Sequence, residues 1–166
     1  MNRIAPTLIS ALVLAVAGAA HAGPAADATT HFQAIASGDV GVLMRGYADG
    51  AQLQWLGGPL DGGYAGAEPI RGVWEKFTTS QGPLKLTVSA LEESANPKGA
   101  TVTAHVLFEG KAPIKVRHVL VYREGRIVSE TWQIDPKLAV GAAVAPAATL
   151  TATSPPAAAP VRPGAY

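Results

Sequence analysis

The sequence contains no cysteine among its 166 residues. This excludes a disulfide framework and also lipid attachment to a cysteine after a signal peptide. The HExxH motif of zinc proteases, the GxSxG nucleophile elbow and the phosphate-binding glycine loops are missing as well. His31, His105 and His118 fall in separate predicted elements. The sequence therefore predicts neither a metal site nor a cofactor.

The N-terminal apolar run is too short to cross a membrane. Leu8–Ala20 has about 13 residues, against the roughly 20 that a bilayer core requires. The run follows the basic Arg3 and precedes Ala20-His21-Ala22, which is the three-part layout of a secretory signal peptide. We therefore predict cleavage after residue 22, a periplasmic or secreted location, and no membrane association of the mature chain.

An excess of positive charge is also absent. The chain has 13 Lys and Arg against 12 Asp and Glu, and loss of residues 1–22 removes Arg3 alone from these totals. The mature chain is therefore balanced in charge. Because domains that bind nucleic acid carry a basic face, nucleic acid is not a predicted partner.

Composition divides the mature chain into two parts. Residues 139–166 consist mostly of Ala, Pro, Thr and Val, without large apolar residues at helical or strand spacing. Such a segment cannot offset its ordering entropy by burial, so we predict a disordered Ala/Pro-rich tail. Residues 23–138 have the length of one globular domain with a single core.

Three segments have the apolar spacing of helices. The first predicted helix covers residues 26–37 and ends at Gly38. Asp39 is the predicted N-cap of a second, shorter helix, which carries Tyr47 among its apolar residues. The third has the clearest pattern, because its apolar residues recur at i, i+3, i+4 and i+7: Ile70, Val73, Trp74 and Phe77.

Alternating apolar and polar residues indicate five strands. The first lies at 52–55, and the glycine-rich residues 57–63 that follow predict a loop. Two more strands are predicted at 84–89 and 101–108, and a final pair within 117–135. This order predicts an α+β domain whose helices cover one face of a curved antiparallel sheet.

The final pair of strands has two alternative registers. A two-residue Glu124–Gly125 loop places His118 and Glu130 on opposite faces. A three-residue loop, 123–125 with a left-handed Gly125 beside a bulge, is favoured because it sorts apolar from polar residues better. On that register His118 lies directly opposite Glu130, and one face collects Val116, His118, Leu120, Tyr122, Val128, Glu130, Trp132 and Ile134.

The element order and this hairpin resemble the nuclear transport factor 2-like superfamily, in particular its SnoaL-like members. The similarity covers about residues 25–136, with local signatures at Tyr47–Trp55, at Tyr64–Gly66 before Ile70–Trp74, and at Gly125–Val128. The resemblance implies a cone-shaped, curved antiparallel sheet wrapped around the N-terminal helices. It also implies an apolar pocket at the open end of the cone.

The functional residues of the superfamily match this chain in part. The resemblance implies a pocket histidine at His118, but Trp132 stands where polyketide cyclases of this family place a catalytic Asp. The first helix lacks the Tyr of ketosteroid isomerases, and Val106 and Phe108 stand where a helpful acid is expected. Homodimers through the sheet are frequent in the superfamily, which implies a homodimer here with contacts at Val119, Val121 and Ile127.

His118 and Glu130 are the candidate catalytic residues, as a general base and the carboxylate that orients it. The alternative is a cross-strand pair that only satisfies two polar groups. Asp49 and Asp61 are turn residues by their glycine neighbours, although Asp61 also lies in a glycine loop beside the expected pocket. The predicted ligand contacts are Trp55, Asp61, Tyr64, Val106, Phe108, Leu120 and Trp132.

Three functions are consistent with these patterns. The favoured hypothesis is an exported domain that binds a small apolar or amphipathic molecule in the cone, because an apolar face with one or two polar groups is typical of ligand cavities. The second is an isomerase, hydratase or hydrolase in which His118 and Glu130 transfer protons. The third is a homodimeric structural or assembly domain.

Overall fold

The computed structural model describes residues 23–141, so the predicted signal peptide and residues 142–166 of the predicted tail lie outside the described residues. Three helices and six strands follow one another along the described chain. Their bounds are α1 Pro24–Ser37, α2 Val40–Arg45, β1 Tyr47–Leu56, β2 Gly62–Ala65, α3 Ala67–Gln81, β3 Lys85–Asn96, β4 Gly99–Glu109, β5 Pro113–Arg123 and β6 Arg126–Ile134.

The six strands form one curved, unclosed sheet in the order β2-β1-β6-β5-β4-β3. Strands β3 to β6 form an antiparallel meander, and β1 joins β6 in parallel with β2 antiparallel at its outer edge. The inner face of the sheet packs against α1 and α3, whose buried residues belong to the same core. The predicted α+β class and curved-sheet architecture are confirmed.

The helix boundaries follow the signals in the sequence. Gly38 ends α1 in the left-handed conformation at φ 77°. The Asp39 carboxylate accepts a hydrogen bond from the Val42 backbone N–H at 2.8 Å, which caps α2. The assignment of Tyr47 to α2 is wrong, because α2 ends at Arg45 and Tyr47 begins β1, where it pairs with Ile127 of β6.

The loop in the glycine-rich segment is shorter than the predicted residues 57–63. Gly62 and Gly63 belong to β2 and pair with Trp55 and Gln54, so the irregular part ends at Asp61. Asp49, predicted to lie in a turn, is an exposed residue of β1. It lies where the pairing of β1 with β6 changes register between Tyr47 and Gln52.

The favoured prediction of a three-residue hairpin loop is wrong. Glu124 and Gly125 form a two-residue turn with φ 50° and 73°, and Arg123 pairs with Arg126. The pairing then shifts, since Tyr122 faces Ile127 but Val121 faces Ser129. Val128 is therefore the extra residue of a β-bulge. The bulge places Ile127, rather than the predicted Val128, in the core, and so removes Ile127 from the predicted dimer contact.

The bulge also determines which side chains of β6 face the core. Beyond Val128, His118 pairs with Trp132 and Leu120 pairs with Glu130, and all four side chains face the core. The predicted common face for these residues is therefore correct, although His118 is diagonal to Glu130 rather than directly opposite.

Candidate functional site

Aromatic side chains fill the inside of the curved sheet. Trp132 lies between Trp55 and Phe108, with ring centroids 4.5 and 5.3 Å apart and interplanar angles of 23° and 19°. Trp74 and Phe77 of α3 meet Trp132 edge-on at 5.3 and 5.2 Å. These five side chains are 0–3% exposed. Three of them, Trp55, Phe108 and Trp132, are predicted ligand contacts.

Four of the predicted ligand contacts belong to this filled interior. Val106, Phe108, Leu120 and Trp132 are 0% exposed. They do not border either of the two clefts described below, which lie at the two ends of the β5–β6 hairpin. A ligand-binding role for these four residues stays a prediction.

A buried carboxylate lies beside the aromatic cluster. Glu130 is 0% exposed, and its Oε1 lies 3.3 Å from His118 Nδ1. Its Oε2 lies 3.2 Å from His31 Nε2 and accepts a hydrogen bond from the Tyr47 hydroxyl. The Trp74 indole N–H donates to that hydroxyl at 2.9 Å. We call Glu130, His31, His118, Tyr47 and Trp74 the buried polar cluster.

The contacts of this cluster favour an ionised Glu130. Burial alone raises the pKa of Glu130, but the facing rings of His31 and His118 lower it overall. Both rings lower this pKa through electrostatic attraction and through hydrogen bonding to the carboxylate, although the two short contacts are not well aligned for hydrogen bonds. Because a carboxylate only accepts hydrogen bonds, we assign the ring protons to the nitrogens that face it, His31 Nε2 and His118 Nδ1.

His118 is enclosed on every side. The residue is 0% exposed, and its ring contacts Phe32 and Trp132 with centroids 4.8 Å away in each case. Burial lowers the pKa of His118, although Glu130 acts in the opposite direction. The structure therefore brings the predicted catalytic pair together in a closed interior, and a catalytic role for the pair stays a prediction.

The sequence analysis did not predict two members of the cluster, His31 and Tyr47, as site residues. His31 lies on the buried face of α1 with Ala28, Phe32 and Ile35, which is the helical spacing that could have indicated it. In β1, buried and exposed residues alternate regularly from Ala51 through Leu53 to Trp55, but Tyr47 is separated from them by the irregular stretch where the pairing with β6 changes register. The alternation therefore does not extend to Tyr47, and the sequence pattern did not indicate its burial.

The first cleft lies where β5 begins and β6 ends, and we call it the apolar cleft. It has a volume of about 490 Å³ and opens between the loop after β1, the C-terminal half of α3 and the start of β5. Its lining residues are Trp55, Pro59, Leu60, Lys76, Phe77, Ser80, Gln81, Ala112, Pro113, Ile114 and Ile134.

Three predicted ligand residues form or support one wall of the apolar cleft. The Trp55 indole N–H donates to the Gly57 carbonyl at 3.1 Å, and the Asp61 carboxylate accepts from the Gly57 N–H at 2.6 Å. The Tyr64 hydroxyl donates to the Leu60 carbonyl at 2.8 Å. Trp55 itself lines the cleft, whereas Asp61 and Tyr64 hold the loop that presents Leu60.

The second cleft lies at the opposite end of the hairpin, and we call it the helical cleft. It has a volume of about 320 Å³ and is enclosed by α1, α2 and the β5–β6 turn. Its lining residues are Asp27, Thr30, His31, Val42, Leu43, Arg45, Gly46, Tyr122, Gly125 and Ile127. Since His31 also contacts Glu130, this residue connects the buried polar cluster with the cleft.

Two further features concern the described residues only. Within 23–141, no group of three or more acidic or histidine side chains has an arrangement that could hold a metal ion. No helix in the same range combines the length and apolarity that a membrane span requires.

Comparison with known proteins identifies the fold. No family model and no curated protein sequence matches the chain. Solved structures do match, including an NTF2-like protein of unknown function from Pseudomonas putida with TM-score 0.57 and 18% identity over 65% of this chain and 81% of that one.

Two other structures agree with this match. A protein of unknown function with a cystatin-like fold from Nostoc punctiforme has TM-score 0.53 and 16% identity, over 68% of this chain and 89% of that one. A ketosteroid isomerase-like protein from Erwinia carotovora atroseptica has TM-score 0.55 and 14% identity, over 66% of this chain and 91% of that one. The chain therefore has the nuclear transport factor 2-like fold that its sequence pattern resembles.

Proposed function

We propose that the protein binds a small amphipathic molecule in the apolar cleft. The observation that carries this proposal is the cleft itself, whose volume of about 490 Å³ lies within the usual range for ligand sites. Trp55 and Phe77 form its aromatic floor, and Ile114 and Ile134 form its aliphatic side. Such a surface favours a flat or elongated apolar body.

The polar rim of the cleft indicates the sign of the ligand's head group. Lys76, Ser80 and Gln81 lie together on the last turns of α3, and Lys76 is the charged residue among those that line the cleft. The Lys111 ammonium donates to the Ser80 carbonyl at 3.1 Å and adds a second positive charge beside this rim. A ligand with an anionic head, such as a carboxylate, therefore fits better than a cation.

The cleft wall is held in place before a ligand binds. Hydrogen bonds from Trp55, Tyr64 and the Gly57 N–H fix the loop that carries Pro59 and Leu60. A wall that is already ordered loses little conformational entropy on binding, which favours affinity. The loop therefore supports a binding role for this end of the domain.

Titration of the full chain with octanoate, followed by tryptophan fluorescence and calorimetry, tests the proposal. We expect saturable binding of octanoate and weaker binding of octanol, which has the same chain without the charge. Ala112→Trp fills the exposed mouth of the cleft and should abolish binding, whereas Ala95→Trp on β3 is the matched control. Equal binding by both variants would refute the assignment of this cleft.

A second function, proton transfer, is favoured by the contacts of Glu130 with His31 and His118 at 3.2 and 3.3 Å. A carboxylate that accepts from one ring nitrogen increases the basicity of the other nitrogen. Retained catalysis in Glu130→Gln of a reaction found for this protein would exclude this function. His31 is the residue of the buried polar cluster that also lines the helical cleft.

A further inference from the structure

The chain leaves the last strand beside the apolar cleft. Ile134 at the end of β6 and Ile114 of β5 both line this cleft. The next residue, Asp135, continues the pairing, because its N–H donates to the Lys115 carbonyl at 2.9 Å. The Leu138 N–H donates to the Asp135 carbonyl at 3.0 Å and closes a turn, whose ends lie within about 7 Å of each other. The predicted tail therefore begins close to the cleft.

Leu138 fixes the point from which the tail departs. Its side chain is 4% exposed, so the chain is packed against the domain up to this residue. Residues 139–150 then lead from Leu138 to Leu150. An extended chain of that length spans up to about 40 Å, and only slightly less in the polyproline conformation. Leu150 is therefore within reach of the cleft.

Leu150 is also the residue of the tail that suits the cleft best. It is the largest aliphatic side chain among residues 142–166, which consist mostly of Ala, Pro and Thr. The accessible surface of the cleft is largely aliphatic, because Leu60, Ile114 and Ile134 are only half-buried there. Since the gain from burial increases with apolar area, Leu150 gains most from insertion.

The rim of the cleft distinguishes between parts of the tail. Lys76 and Gln81 line the cleft with side-chain donors, and Lys111 adds positive charge beside them. Residues 139–161 carry no charge. In an extended segment with proline, the backbone carbonyls lack internal partners and can accept from these donors. Arg162 is repelled by the two lysines, so the uncharged part of the tail fits the cleft better than the part around Arg162.

We propose that residues 146–150 of the tail occupy the apolar cleft when no ligand is bound, with Leu150 packed on its aliphatic surface. The inference rests on the binding role proposed for this cleft and adds its regulation, because the tail and an amphipathic ligand compete for one site. A segment on a short flexible tether acts at an effective concentration on the order of millimolar, so a modest contact is enough to occupy the cleft. A ligand then binds only where the tail is released.

The cysteine-free sequence permits a direct test. Thr151→Cys introduces a single thiol beside Leu150, and a nitroxide attached to it broadens the NMR signals of nearby backbone amides. In the full chain we expect broadening at Gln81 and Ile114 of the cleft, and none at Gly125 at the other end of the hairpin. Octanoate should displace the tail and so reduce the broadening.

Variants distinguish a docked tail from one that is only tethered nearby. Leu150→Asn replaces the apolar side chain by a polar one of similar size and should remove most of the broadening, whereas Val161→Asn is the matched control within the tail. Ala112→Trp fills the mouth of the cleft and should act like Leu150→Asn, with Ala95→Trp as its control. Leu150→Asn should also increase the apparent affinity for octanoate at least about twofold, as for release of a half-occupied cleft.

Three results would overturn the proposal. The first is no broadening at the cleft, and the second is equal broadening in the parent chain and in Leu150→Asn. The third is equal broadening when nitroxide-labelled chains are mixed with ¹⁵N-labelled chains that lack the thiol, which would assign the cleft to the tail of a second copy.

The octanoate titration separates this proposal from the function proposed for the cleft. Octanoate binding with the same affinity in the parent chain and in Leu150→Asn would refute the tail contact and leave the ligand site standing. Broadening that depends on Leu150, without octanoate binding in either chain, would support the tail contact and count against the ligand site alone.

Discussion

Glu130 Oε1 lies 3.3 Å from His118 Nδ1, although the two residues are diagonal neighbours rather than a cross-strand pair. The contact exists because the Val128 bulge brings Glu130 onto the same inner face as His118. His31 and Tyr47 then reach the other carboxylate oxygen from α1 and β1. One side chain of β6 thus connects three separate elements in the core.

Glu130→Gln is expected to lower the free energy of unfolding by about 3 kcal/mol, as for removal of one partner from a buried charged pair. The amide keeps the shape but places an NH₂ group against donors that face a carboxylate in the native protein. Urea unfolding monitored by tryptophan fluorescence measures the loss. Glu124→Gln in the exposed turn is the matched control and should change little. A similar small effect of both variants would contradict a stabilising role for the cluster.

Mild acid is expected to destabilise the fold through His118. Burial lowers the pKa of His118 below its ordinary value of 6.5, against the opposing effect of Glu130. The unfolded chain therefore binds more protons than the folded one below about pH 6.5, and the free energy of unfolding falls as the pH decreases further. Urea unfolding at a series of pH values measures this loss, and His118→Gln should reduce its slope. A free energy of unfolding that does not change just below the ordinary histidine pKa of 6.5 would contradict the prediction.

Stronger acid is expected to act through Glu130. The facing histidines hold the pKa of Glu130 below its ordinary value of 4.5, although burial acts in the opposite direction. Its contribution to stability is therefore complete above about pH 4.5 and is lost as the pH falls toward the folded-state pKa. The same pH series in Glu130→Gln should lack this second loss. If the variant and the parent protein lose stability in parallel below the ordinary glutamate pKa of 4.5, another group is responsible for the loss.

The parts of the fold that depend on local pattern were predictable from the sequence. The stripe Ile70, Val73, Trp74 and Phe77 specifies α3, and all four residues are buried in it. Asp39 specifies the start of α2, because capping depends on a side chain and a backbone N–H three residues apart. The predicted inner face of β5 is also correct for His118 and Leu120.

The parts that depend on distant contacts were not predictable. The Val128 bulge adds one residue to β6, and its position follows from pairing with β5 rather than from the turn sequence alone. His31 and Glu130 are separated by almost the whole domain, so no spacing rule links them. The filled interior likewise depends on how the rings of Trp55, Phe108 and Trp132 stack together. A residue pattern indicates which face is apolar but not how much space its side chains leave.

The stacked aromatic cluster is expected to dominate the stability of the core. Trp132→Ala removes the ring between Trp55 and Phe108 and should lower the free energy of unfolding by about 3–5 kcal/mol. Trp132→Phe keeps an aromatic ring and should lose less. Chemical unfolding of both variants measures the difference. An equal loss in the two variants would show that ring stacking at this position contributes little.

The β5–β6 turn is expected to hold a correctable backbone strain. Glu124 has φ 50°, which is unfavourable for a side chain of its type, whereas Asn adopts this region more readily and Asn-Gly is a preferred two-residue hairpin turn. Glu124→Asn should therefore raise the free energy of unfolding by about 0.5 kcal/mol, within the range of backbone substitutions at compatible sites. Glu75→Asn on the exposed face of α3 is the control for the lost charge, and there the poorer helix former should lower stability. A loss of stability in Glu124→Asn would argue against the two-residue turn and hence against the register that brings Glu130 to His118.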